Sequence, residues 1–129
     1  MTDILILAER NIGKLIRKYL DREPLHVVHA EDMQELDAVT SGVMPGIVVV
    51  DQSHVGEGLT DVMAALATRF TAVRFIVLCS MEQTEYCEDL QRSFPGTSVT
   101  RLFKPIKLSA LSSLIRDTEA NTHASEMKD

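Results

Sequence analysis

No apolar run in this chain is long enough to cross a bilayer. A span needs ~20 residues, and the runs here, such as residues 62–67, end well short of that. Basic residues are the minority: 13 Lys and Arg stand against 19 Asp and Glu, for a net charge of −6. Nonspecific nucleic-acid binding depends on cations that neutralise phosphates, so that class is disfavoured. Cysteines are scarce. Cys79 and Cys87 make no metal-ligand spacing and no disulfide framework; Cys79, in an apolar run, reads as a small buried residue and Cys87 as a helix residue. Also missing is a basic flank or cleavage-like site at the start, where Met1-Thr2-Asp3 leads straight into a strand-like run. No signal peptide is expected, and the cytoplasm is the default location.

The 129 residues are 45% hydrophobic and 25% charged, which suits one domain with a single core. Short apolar runs alternate with amphipathic segments, the pattern of an α/β domain with a parallel sheet. Strands are expected at residues 4–7, 25–30, 46–51, 73–79 and 99–103. Helices are expected from about 12 to 21, over 33–39, over 59–67 after a Gly56-Glu57-Gly58 loop, over 82–94, and from 108. The second strand, interrupted by His26 and His29, suits an edge. Right-handed crossovers place helices on both faces. The folded unit is expected over residues 1–118, with 119–129 a polar, frayed tail that lacks apolar periodicity.

Three strands end in polar groups. Val48-Val49-Val50 runs into Asp51, Val77-Leu78-Cys79 into Ser80, and Leu102-Phe103 into Lys104-Pro105. The C-terminal ends of parallel strands are where such a sheet opens its ligand crevice. A carboxylate nucleophile, a hydroxyl and an ammonium converging there are suited to accept and hold a phosphoryl group. This order and spacing resembles the receiver domain of two-component response regulators over roughly residues 3–118.

The resemblance implies a flavodoxin-like, doubly wound five-stranded parallel sheet of order 2-1-3-4-5. It implies a phosphoryl group passed from a histidine kinase or phosphotransfer protein to Asp51, with Lys104 pairing with it and the Ser80 hydroxyl turning toward it. Pro105 is expected to follow a cis bond. The family carries adjacent acids after strand one which, with the acceptor, hold Mg²⁺. Here Leu7-Ala8-Glu9-Arg10 leaves at most one acid, Glu9, whichever way the loop is aligned. The metal set implied is Glu9, Asp51 and the Ser53 backbone carbonyl, a weak Mg²⁺ site at best because fewer carboxylates offset dehydration of the ion.

Other departures are Arg101 at the family's aromatic switch position and Met81, where a small residue is usual. Downstream contacts are expected through the fourth helix, fifth strand and fifth helix, with a homodimer also allowed. The protein is not expected to be an enzyme, a nucleic-acid binder or a membrane protein. The alternative reading is a pseudo-receiver, a binding module that works without phosphorylation because its acid pair is degenerate.

Three further readings fail on the residues. A P-loop across residues 8–15 lacks its first glycine and has Leu15 in place of the metal-binding hydroxyl. An aspartyl-phosphatase lacks a second acid two residues after Asp51. Flavin binding has no Gly- and hydroxyl-rich loop after strand one. His26 and His29 lie on opposite strand faces and read as edge residues, and His54 as a solvent-exposed loop residue.

Overall fold

The computed structural model describes residues 2–21, 25–80 and 90–128, with the backbone alone described for Thr2 and for residues 120–128. Five strands, β1 (Thr2–Leu7), β2 (Leu25–Ala30), β3 (Ile47–Asp51), β4 (Arg74–Cys79) and β5 (Val99–Phe103), form one sheet in the order β2-β1-β3-β4-β5. Every pairing is parallel. The helices are α1 (Arg10–Leu20), α2 (Met33–Val39), α3 (Gln52–Val55), α4 (Leu59–Arg69), α5 (Leu90–Ser93) and α6 (Leu108–Lys128), with a 3-10 turn at Gly56–Gly58. No described helix is long and apolar enough to cross a membrane.

The near-continuous apolar character of the central strands has the expected cause: both of their faces are covered. Successive side chains alternate across the sheet. Leu5, Leu7, Val48, Val50, Phe75 and Val77 therefore pack with Leu36 of α2, with Leu59, Met63 and Leu66 of α4, and with Leu90 of α5. Their neighbours Ile4, Ile6, Ile47, Val49, Ile76 and Leu78 pack on the other face with Ile16 and Leu20 of α1 and Leu111 and Ile115 of α6. Each fully buried aliphatic side chain contributes about 1.5–3 kcal/mol of transfer free energy, so these two layers hold the strand ends in place.

Local departures from the sequence pattern have physical reasons. The segment after Asp51 is not an open loop. The Asp51 carboxylate accepts the Ser53 N–H (3.1 Å) and caps α3, so the chain winds into a helical turn at once. Gly56, at φ 73°, then takes the positive φ that ends this turn. At the C-terminus, helix continues through Lys128 where a frayed tail is expected. No Gly or Pro follows Asp117 in the sequence. Missing apolar periodicity argues against core packing, yet nothing there breaks a helix. In α1, Ile12 and Leu15 fit the helical spacing but remain 38% and 57% exposed.

Cys79 is fully buried, as expected, but it is disulfide-bonded, contrary to the absence of a disulfide framework. Two cysteines alone carry no spacing pattern that the sequence could reveal. Cys87, Met81 and most of the helix expected over 82–94 lie outside the described residues.

Candidate functional site

At the C-terminal end of the sheet, β3 is the hub. All five of its residues are buried, and Asp51, at its tip, is 1% exposed. Lys104, just past β5, donates from Nζ to Asp51 Oδ1 at 2.8 Å and to Ser53 Oγ at 3.3 Å. Its side chain is 30% exposed, so the ammonium bridges a buried carboxylate to the solvent rim. The Lys104–Pro105 peptide bond is cis, as expected.

The two residues are more than 50 positions apart in sequence, and they meet because two parallel strands end side by side with β4 between them. A carboxylate removed from water needs a hydrogen-bonded cation, and a lysine supplies a compact point charge.

Ser80 follows β4 directly and is partly exposed. Its N–H has left the sheet ladder and is accepted by Gln52 Oε1 at 3.1 Å. The preceding Cys79 carbonyl accepts the Lys104 N–H at 2.9 Å. Asp51, Ser80 and Lys104 are thus brought to one end of the sheet. Gln52 is the residue that sequence reasoning missed. Its signal was positional, because Val48 and Val50 are core residues and the next step of two along the strand falls on Gln52.

The β1 side of the site is built differently. Ala8 is fully buried and offers no ligand atom from its side chain. Glu9 caps α1, where its two carboxylate oxygens accept the Asn11 N–H (3.0 Å) and the Ile12 N–H (3.2 Å). Those two bonds, first to Asn11 and then to Ile12, hold its pKa below the ordinary value of 4.5, with smaller help from His54 and His29. A negative charge also suits the N-terminal end of a helix. Arg10 begins α1 and is exposed.

His29 donates Nε2–H to the Ala8 carbonyl at 3.0 Å. It reaches across only because Gly13 faces it: a Cβ on Gly13 would stand 2.0 Å from the imidazole Nε2. His54, exposed as expected, donates to the Glu31 carbonyl at 2.6 Å. His26 pairs with Asp3 at 3.1 Å, near the start of the sheet and away from this site.

Of the residues expected to hold Mg²⁺, two already carry hydrogen bonds in this arrangement. Glu9 caps the helix terminus with both carboxylate oxygens, and Asp51 Oδ1 accepts from Lys104 and from the Ser53 amide. Among the described residues, no three His, Cys, Asp or Glu side chains group to bind a metal ion. A cavity of about 370 Å³ beside this end is lined by Leu7, Glu31, Asp32, Met33, His54, Val55 and Val62. Its two carboxylates disfavour an anion there.

Arg101 lies exposed in the middle of β5, with its guanidinium 5.8 Å from the centre of the Phe103 ring. The position where the resemblance implies an aromatic therefore holds a cation, and an aromatic stands two residues further along the same face.

No family model and no curated protein match the sequence. Solved structures do match the fold. A response regulator from Thermotoga maritima superposes with a TM-score of 0.74 at 16% identity, covering 91% of this chain and 96% of that one. A response regulator receiver domain protein from Clostridium thermocellum gives 0.78 at 16%, covering 96% and 98%. A third match belongs to a family of redox sensors in the streptococci described as evolved from two-component response regulators. It gives 0.80 at 18% and covers all of this chain but 56% of that one. With the strand order, the parallel register and these superpositions in agreement, the chain has the fold of a response-regulator receiver domain.

Proposed function

We propose that this protein is a signalling domain that accepts a phosphoryl group on Asp51 and acts through protein contacts. The observation that carries the reading is the Lys104 ammonium 2.8 Å from the buried Asp51 carboxylate. The donor is a histidine kinase or phosphotransfer protein. An Asp51 oxygen attacks phosphorus, an O–P bond forms, the P–N bond of the phosphohistidine breaks, and the imidazole leaves. Lys104 then transfers its charge from the carboxylate to the phosphoryl oxygens, and the Ser80 hydroxyl hydrogen-bonds to one of them. Any magnesium contribution is weak, because Glu9 is already held at the start of α1. The domain receives the group and has no catalytic turnover of its own, and its setting is the cytoplasm.

The second reading, a pseudo-receiver that binds its partner without phosphorylation, is supported by the same β1 side: Ala8 and a capping Glu9 in place of two free acids. The two readings separate in one experiment. The intact chain is incubated with acetyl phosphate, with and without Mg²⁺, and its mass is recorded. Gain of one phosphoryl group in the wild type, absent in Asp51→Asn, is the expected result. No gain under any condition leaves the pseudo-receiver reading.

Output is proposed to run through α5, β5 and the first turns of α6. A partner there meets Arg101 directly, so Arg101→Glu weakens partner binding in a pull-down or titration. Asp51→Ala leaves much of that binding intact, because with Arg101 at the switch position one half of the usual coupling is absent.

A further inference from the structure

We infer that Gln52 is a positioning residue that fixes the main chain at the end of β4 through the Ser80 amide, whatever the state of Asp51. A backbone N–H only donates, so the carboxamide must present its oxygen to Ser80, and its orientation is set. Gln52 is 2% exposed. A polar group that deep is costly without a partner, and an apolar side chain in line with Val48 and Val50 fills such space without that cost. The chain instead carries an acceptor long enough to cross from the end of β3 to the end of β4. The Cys79–Ser80 step is consequently held from both sides, by Lys104 N–H on the β5 side and by Gln52 on the β3 side.

The Ser80 main chain then occupies its place before any group is added to Asp51. A swing of that main chain has to break a bond to a buried acceptor. If Asp51 is phosphorylated, the reading on which this consequence rests, Ser80 answers by turning its hydroxyl while its backbone stays in place. Only a differential interaction shifts an equilibrium between two states, and Gln52 supplies one that favours the held state.

The test is residue-resolved amide hydrogen exchange on the intact chain, with the Val49 and Val77 amides reporting on the sheet. In Gln52→Met, Ser80 protection is expected to fall about five- to tenfold, the net effect of one hydrogen bond, with Val49 and Val77 unchanged. Gln52→Asn, which keeps the amide but withdraws it by one methylene, gives the same local fall, so the result does not hang on one variant. Gln52→Glu, which retains an acceptor at full length, restores most of the protection; a merely space-filling role predicts no such rescue. Ser80 protection equal to wild type in both Gln52→Met and Gln52→Asn overturns the assignment. In the wild type treated with acetyl phosphate, with the mass gain verified, Ser80 protection stays within about twofold, and its loss there overturns independence from Asp51. Failure of the mass gain itself counts against phosphoryl acceptance alone and leaves the untreated variants to decide on Gln52.

Discussion

The two sides of the candidate site use their polar residues in opposite ways. On the β3–β4–β5 side, Asp51 and Lys104 face each other across a neighbouring strand, and their bond joins segments distant in sequence. On the β1–β2 side, Glu9 caps its own helix and His29 braces the Ala8 carbonyl, so those groups serve the fold. The difference teaches where function can be lost or changed. A carboxylate whose oxygens already accept helix N–H groups is not available to a cation without uncapping that helix, while a carboxylate paired with a flexible lysine exchanges partners readily.

The comparison breaks most visibly at Lys104. Lys104→Met strands a buried carboxylate with, among the described residues, the Ser53 amide as its remaining donor. Breaking a fully buried pair costs about 3–5 kcal/mol, and the partial exposure of the lysine reduces this to about 2–3 kcal/mol, measurable by urea unfolding. Asp51→Asn costs less, because the lysine it frees reaches solvent. Equal losses in the two variants would show that the pair is not the asymmetric arrangement described.

A medium effect is expected on the β1 side. Gly13→Ala drives a methyl into the His29 ring, and overpacking outweighs the gain in helix propensity by about 1–2 kcal/mol. Adding His29→Ala removes the clash, so the double variant recovers stability relative to Gly13→Ala. A strictly additive cycle would mean that the close approach carries no energy. The proposed phosphoryl uptake on Asp51 is expected to survive both changes, which sharpens the division between the two sides.

The smallest effect belongs to Glu9→Ala. The folded pKa of Glu9 lies below 4.5, so its contribution is fully present above the ordinary carboxylate value and is lost as pH falls through the lowered one. Wild-type and variant thermal midpoints therefore differ at neutral pH and converge in acid. A difference that persists or widens in acid would point to some role for Glu9 other than an ionised cap.

Much of this was legible in the sequence. Apolar runs covered on both faces gave strands with little ambiguity, and three polar residues at strand ends marked one end of the sheet. The roles of Glu9, Gly13 and Gln52 were not legible. Glu9 is an unusual cap, since Ser, Thr, Asp and Asn are preferred there, and its acidic character pointed toward a metal. Gly13 reads as a weak helix residue until His29 is seen against it, and that contact joins two elements. Gln52 falls one strand step past Val50, where a helical turn begins, so the strand period puts it inside without showing what its amide would bond. The disulfide at Cys79 was equally hidden, because a pair of cysteines without motif spacing says nothing about which connections the fold brings close.

The exposed cation on β5 has a consequence for solubility. β5 is an edge strand, and an edge presents unpaired main-chain groups to which another chain can add. This one is five residues long, and Arg101 stands at its centre with its guanidinium over Phe103. A short strand with a central charge is a poor template for strand addition, and the half-exposed Phe103 is screened by the same side chain. Arg101 thereby makes the sheet's open border a poor place for edge-to-edge strand pairing.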